Sequence, residues 1–168
     1  MTREGDVTII MKKKKILVLE DNLVELDDFT QLLDSRYEIF PAARTDIADE
    51  IIKENNNEID CIVFDLNMSN EFISEDYIDQ TMNGALTGWV WYFYYAKNVL
   101  KNQPLIVISS GFVDDFEGYI HEHSALSNVD EKLHYATEKG KKIRVIAKQE
   151  IINDHEKVVN EINAFFFK

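Results

Sequence analysis

The sequence has little cysteine, no long apolar stretch and no signal peptide, and each of these absences limits the class of protein. The sequence has one cysteine, Cys61, so no intramolecular disulfide can form, and we expect this residue to be a small buried core side chain. It has no stretch of about eighteen apolar residues, so we expect no membrane insertion. The basic run Lys12 to Lys15 precedes an apolar segment too short for a signal peptide, which predicts a cytoplasmic protein.

Basic residues are also scarce and unevenly placed. The formal net charge is -13, which argues against a nucleic-acid partner, because phosphate contacts need clustered lysine and arginine. No lysine or arginine occurs between Lys53 and Lys97, and a second such interval runs from Lys101 to Lys132. The first interval contains only acidic charges: Glu54, Glu58, Asp60, Asp65, Glu71, Glu75, Asp76 and Asp79.

The pattern of apolar residues predicts one α/β domain, which suits a length of 168 residues. Short runs rich in β-branched residues predict strands at 15–20, 59–65, 104–110 and 142–148, with a weaker one at 37–42. Helical patterns lie between and after them, starting near Leu23 and Thr45 and covering 85–101, 129–139 and 151–166. This alternation predicts a parallel sheet with helices on both faces and a site beyond the carboxyl ends of the strands.

Polar residues end the central predicted strands. They are Glu20 and Asp21 after the first strand, Asp65 at the end of the third, Ser109 in the fourth and Lys148 after the fifth. Converging carboxylates repel one another, and a hard cation such as Mg²⁺ relieves that repulsion. A carboxylate beside a cation, an ammonium and a hydroxyl can receive a phosphoryl group. We therefore predict that Asp65 is a nucleophile, assisted by Lys148 and Ser109.

Four segments carry these residues in order: KKILVLEDN, CIVFDLNM, PLIVISSG and IRVIAK. Together they resemble the receiver domain of two-component response regulators. The resemblance implies a (βα)₅ doubly wound parallel sheet of order 2-1-3-4-5, a flavodoxin-like three-layer sandwich. It also implies that Glu20, Asp21, Asp65 and the main-chain carbonyl of Asn67 hold Mg²⁺ or Mn²⁺. Asp65 would take phosphate from a histidine kinase or a histidine phosphotransfer protein.

The resemblance divides the chain into an N-terminal tail, residues 1–11, and a receiver domain, residues 12–168, with no separate output domain. We expect a stand-alone receiver that signals by contact with a downstream protein target. A homodimer is a further possible assembly. It would not be an enzyme, beyond self-phosphorylation from small donors and autodephosphorylation. The alternative is a pseudo-receiver that binds a partner without taking phosphate. An aspartyl-nucleophile phosphatase is disfavoured, because Asn67 occupies the position of that class's second aspartate.

The chain departs from the family in two insertions and two substitutions. The insertions follow strand three, at residues 69–83, and strand four, within residues 112–128, and both are acidic. Gly88 is the expected counterpart of the family's glycine after the acceptor. Val145 replaces the usual aromatic residue before the lysine, and Gln149 replaces the usual proline after it.

The aromatic helix at 85–101 predicts where the first insertion packs. At 100° per residue, one face can cover the sheet with Trp89, Phe93, Ala96 and Leu100. Three aromatic residues then point away from the sheet: Trp91, Tyr94 and Tyr95. They either form a partner surface or are covered by apolar residues of the insertion. We favour cover, with the insertion acting as a lid that limits access to Asp65.

Overall fold

A computed structural model describes residues 11–100, 104–109 and 143–167 of the chain. Its five strands are β1 (Lys15–Leu19), β2 (Glu38–Ala42), β3 (Cys61–Asp65), β4 (Leu105–Ser109) and β5 (Ile143–Ala147). All neighbouring strands are parallel, and their order is β2-β1-β3-β4-β5. The predicted doubly wound sheet of order 2-1-3-4-5 is therefore confirmed.

The helices follow the predicted alternation. They are α1 (Leu23–Leu33), α2 (Thr45–Glu54), α3 (Thr87–Trp91), α4 (Lys97–Val99), α5 (Lys148–Asn153) and α6 (Glu156–Phe166). A π-helical turn, Tyr92–Ala96, joins α3 to α4. The predicted helix at 129–139 and the second insertion lie outside the described residues. No helix in the described ranges has both the length and the apolar character needed to cross a bilayer.

Side chains alternate between two cores along the central strands. Ile16 and Val18 of β1 face a core shared with α1 and α6, whereas Leu17 and Leu19 face a core shared with α2 and α3. This two-sided burial explains why the strands are continuous apolar runs and produces the predicted three layers. Cys61 of β3 is fully buried, and burial raises the pKa of its thiol, so it is a core residue as expected.

The aromatic helix differs from the prediction at Trp91. This side chain is 1% exposed, packs edge-on to Phe64 and donates a 2.9 Å hydrogen bond from Nε1 to Asp49 Oδ1. The prediction that Trp91 points outward is therefore wrong. The helical segment is not a continuous α-helix, because its π-helical turn adds a residue to the hydrogen-bonded ring and shifts the phase of the following side chains.

The first insertion packs on the aromatic helix and covers Tyr94 and Tyr95, as predicted. Tyr77 stacks on Tyr94 with ring centroids 3.9 Å apart and meets Tyr95 edge-on at 6.1 Å. Near the start of the insertion, the Arg44 guanidinium lies 4.3 Å from the ring centroid of Phe72. The insertion thus covers the outer side of the helix and reaches the loop between β2 and α2. Whether it also limits access to Asp65 stays a prediction.

Gly88 brings α3 directly against the end of β3. A Cβ atom at this position would lie 1.9 Å from the backbone oxygen of Asp65 and 2.8 Å from Cδ2 of Phe64. No L side chain fits without a shift of this backbone, so glycine is required by the close approach. The expected counterpart of the family's glycine therefore contacts the predicted acceptor residue itself.

Candidate functional site

Asp65 ends β3 at the carboxyl edge of the sheet, where its carboxylate is 1% exposed. Its Oδ2 accepts a 2.9 Å hydrogen bond from Lys148 Nζ. Its Oδ1 accepts a 3.1 Å hydrogen bond from the backbone N–H of Asn67. This buried carboxylate at the end of an apolar strand therefore has a partner on each oxygen.

Lys148 follows β5 immediately and begins α5, which directs its side chain across the sheet edge. Its ammonium lies 2.6 Å from Glu25 Oε2, 2.9 Å from Asp65 Oδ2 and 3.6 Å from Glu20 Oε2. Burial alone would lower the pKa of Lys148, but its contacts with these carboxylates raise the pKa overall. The lysine is therefore held in its charged form by three acidic side chains.

Glu20 is the least compensated member of this group. Its side chain is buried, and Oε1 accepts a 3.0 Å hydrogen bond from the backbone N–H of Asn22. Within the described residues, Oε2 has no hydrogen-bond partner and only the longer ionic contact with Lys148. Burial and the neighbouring charge of Asp65 raise the pKa of Glu20 to about 8. The acid is thus costly to ionise where it lies.

Glu25 is a site residue that the sequence interpretation missed. It lies in the first turn of α1, whose N-cap Asn22 accepts hydrogen bonds from the backbone N–H groups of Val24 and Glu25. The spacing of Asn22 and Glu25 is that of a capping box, which is the sequence signal that could have placed Glu25 in the first turn of the predicted helix, beside the site. Because α1 starts beside the sheet edge, this first-turn carboxylate reaches Lys148.

The remaining predicted residues are Asp21, Asn67 and Ser109. Asp21 is exposed, and its Oδ2 accepts a 2.8 Å hydrogen bond from the backbone N–H of Ser69, at the start of the insertion. Asn67 is exposed and contributes its N–H to Asp65, while the metal role of its carbonyl stays a prediction. Ser109 ends β4 in register with Ala147, at the same edge, and its role also stays a prediction.

The acidic group has the composition of a hard-cation site. One carboxylate oxygen from each of Glu20, Glu25 and Asp65 lies within 4.8 Å of the others. The donors are all oxygen, which favours Mg²⁺ or Mn²⁺ over softer metals. The buried, hydrogen-bond-deficient Oε2 of Glu20 is an available ligand atom among the described residues. The residues present therefore fit such a cation, and the metal role of Asp21 stays a prediction.

Comparison with known proteins gives matches among solved structures. No family model matches the sequence, and no curated protein matches it. The similar structures are mostly response-regulator receiver domains. A receiver protein from Pseudomonas putida is 16% identical, with 90% of this chain and 99% of that chain covered and a TM-score of 0.49. For a receiver domain from Clostridium thermocellum, the values are 19%, 91%, 99% and 0.47. For the receiver domain of the hybrid histidine kinase CckA, they are 20%, 88%, 96% and 0.47.

Proposed function

We propose that this protein is a response-regulator receiver in which Asp65 accepts a phosphoryl group from a histidine kinase or a histidine phosphotransfer protein. The observation that supports this most directly is the buried Asp65 carboxylate, held between Lys148 Nζ and the Asn67 N–H at the carboxyl edge of the sheet. The neighbouring Glu20 and Glu25 make the edge strongly acidic, which suits a reaction that requires a cation.

The transfer requires little covalent chemistry from the protein. An Asp65 carboxylate oxygen attacks the phosphorus and forms a new O–P bond. The bond between phosphorus and the donor nitrogen or oxygen breaks, and its electron pair leaves with the donor. Lys148 stays protonated, and its ammonium can move to the phosphoryl oxygens and neutralise their negative charge. Ser109 would donate a hydrogen bond to one of these oxygens. The product is an acyl phosphate on Asp65.

A divalent cation would be held by Glu20, Asp21, Asp65 and the Asn67 carbonyl, the ligand set that the sequence predicts, at an edge where the carboxylates of Glu20 and Asp65 lie close together. When bound, Mg²⁺ supplies positive charge that offsets the repulsion among the carboxylates and the incoming phosphate. The protein's own contribution is to hold Asp65 in place through Asn67 and to keep Lys148 charged. Signalling would then proceed by contact with a protein target.

Phosphate uptake from a small donor tests this proposal. The native chain, incubated with acetyl phosphate and Mg²⁺, should gain one phosphoryl group by intact-mass measurement, and Asp65→Asn should gain none. Asp60→Asn is a matched control, because Asp60 carries the same carboxylate just before the same strand, at the opposite edge of the sheet. Labelling that survives in Asp65→Asn would refute the assignment. A native chain that takes no phosphate from small or protein donors would favour the pseudo-receiver.

A further inference from the structure

We propose that Glu25 is a positioning residue that restrains Lys148 and thereby limits how readily Asp65 takes up a phosphoryl group. This inference rests on the proposed role of Asp65 as a phosphoacceptor. It concerns a residue outside the four sequence segments that indicated the site.

The Lys148 ammonium contacts both Glu25 and Asp65, and the contact with Glu25 is the shorter one. The two distances are 2.6 Å to Glu25 Oε2 and 2.9 Å to Asp65 Oδ2. Both members of the Lys148–Glu25 pair are mostly shielded from water, with side chains 24% and 34% exposed. Their attraction is therefore screened less than that of a surface pair. Any movement of Lys148 toward a new anion must weaken this contact.

Glu25 is also fixed in place, unlike a mobile surface carboxylate. The Asn22 side chain accepts the Glu25 backbone N–H and donates to Glu25 Oε1 at 3.4 Å. The first turn of a helix favours a negative charge, since the helix dipole is positive there. These contacts hold the carboxylate beside the lysine before any phosphodonor arrives.

The Glu25–Lys148 pair opens onto a cavity of about 230 Å³ between α1 and α5, with Phe29, Leu32 and Ile151 among its lining residues. This space gives both side chains room to separate. The pair is thus a contact that can be broken without unpacking the core around Val158 and Ile162 of α6.

Two effects of Glu25 act in the same direction. A phosphoryl group on Asp65 needs the Lys148 ammonium, which Glu25 holds from the other side. The same phosphoryl group is anionic, so the fixed Glu25 charge repels it. Glu25 therefore opposes both the arrival of phosphate and the lysine movement that stabilises it. Removing the charge of Glu25 should make the acceptor more reactive.

The test compares Glu25→Gln with Asp28→Asn, which removes the same charge one turn further along α1. Glutamine keeps the backbone N–H that Asn22 accepts and a side-chain oxygen for Asn22 Nδ2, so the helix start should be retained. We expect Glu25→Gln to be labelled by acetyl phosphate about threefold to tenfold faster than the native chain, with a weaker dependence on salt concentration. Beryllium fluoride, a phosphoryl analogue, should bind more tightly by a similar factor in calorimetric titration with Mg²⁺. Asp28→Asn should change neither quantity appreciably.

Further measurements separate the possible failures. Glu25→Asp keeps the charge but shortens the side chain, and we expect a smaller gain in labelling rate than with glutamine. Labelling of the native chain with no change in Glu25→Gln would overturn this inference and leave the proposed function intact. Slower labelling, together with weaker Mg²⁺ binding by Glu25→Gln, would overturn it and assign Glu25 as a metal ligand. A native chain that is never labelled would remove both proposals.

Discussion

Lysines and carboxylates lie at both ends of the parallel strands, which we call the amino edge and the carboxyl edge, but their exposure and charge balance differ. At the amino edge, Lys14 Nζ lies 3.6 Å from Asp60 Oδ1, with both side chains well exposed. Asp60 Oδ2 also accepts the backbone N–H of Lys15 at 2.8 Å. At the carboxyl edge, Lys148 faces three carboxylates, of which Glu20 and Asp65 are almost completely buried.

This contrast is what singles out the carboxyl edge as the candidate functional site. Hydrated and paired charges, such as Lys14 and Asp60, cost little and contribute little. Buried carboxylates that outnumber their cation are costly, and a fold retains them where their reactivity or ligand binding is used. Burial and imbalance, rather than the number of acidic residues, therefore distinguish the two edges.

Removing the shared cation should have the largest effect on this contrast. We expect Lys148→Met to lower the free energy of unfolding by about 3 kcal/mol at pH 8, because it leaves the buried carboxylates without their counter-charge. Urea denaturation measures the change. Lys14→Met at the amino edge is the control, and its expected effect is below about 1 kcal/mol. Equal losses in the two variants would contradict the proposed difference between the edges.

Changing pH should affect the carboxyl edge through Glu20, whose pKa is raised to about 8 in the folded chain from an ordinary value of 4.5. Between these values the folded chain binds more protons than the unfolded chain, so stability must fall as pH rises. We therefore expect the free energy of unfolding to decrease between about pH 4.5 and pH 8 when Mg²⁺ is absent.

Denaturation curves at a series of pH values measure this slope. Glu20→Gln should flatten it, because the raised pKa belongs to that side chain. Mg²⁺ should flatten it as well, since a bound cation favours the charged carboxylates. A slope that is unchanged in Glu20→Gln would show that another group is responsible.

Replacing the first insertion should change access to the carboxyl edge rather than its charge balance. With residues 69–83 replaced by a short glycine-containing turn, we expect acetyl phosphate to label Asp65 severalfold faster. The insertion contains four carboxylates and is attached at this edge through the hydrogen bond from the Ser69 N–H to Asp21.

A second variant separates charge from cover. Neutralising Glu71, Glu75, Asp76 and Asp79 as amides retains the packing of Tyr77 on Tyr94. If repulsion limits labelling, this variant should react as fast as the replacement and lose the same salt dependence. If cover limits labelling, only the replacement should react faster. Native rates in both variants would contradict the lid.

The smallest effect is expected at the amino edge itself. Asp60→Asn removes the charge facing Lys14 but retains an oxygen that can accept the Lys15 N–H. The free energy of unfolding should change by less than about 1 kcal/mol, with no dependence on Mg²⁺. A larger loss, measured by urea denaturation, would show that the charges at the exposed amino edge also contribute substantially to stability.

The strands were predictable because buried parallel strands have a distinctive composition. β1 and β3 are continuous apolar runs that end in acids, and both bounds agree with the sequence pattern within two residues. The sheet order followed from the family resemblance rather than from these runs. Asp65 and Lys148 were predictable as neighbours, since parallel strands bring their carboxyl ends to one edge.

Other features depend on geometry that a linear pattern does not contain. Trp91 was assigned to the wrong face because a helical wheel assumes one buried face, whereas Trp89 and Trp91 of α3 are both 1% exposed and Trp91 also contacts Asp49 of α2. Glu25 was missed because its reach to Lys148 depends on the angle at which α1 leaves β1. Asp21 and Glu25 are both acids near the first strand, and only the folded arrangement shows which one contacts the lysine.

The close approach of Gly88 to Asp65 gives the protein an intrinsic optical reporter. Gly88 packs on the Asp65 backbone, and the next residue, Trp89, stacks on Phe64 with ring centroids 6.4 Å apart. Trp91 meets the same phenylalanine edge-on at 6.4 Å. Both indoles of the chain therefore lie against Phe64, the residue that precedes the proposed acceptor Asp65. Emission from the unlabelled protein should follow displacements of this backbone in real time, with no dye or engineered cysteine.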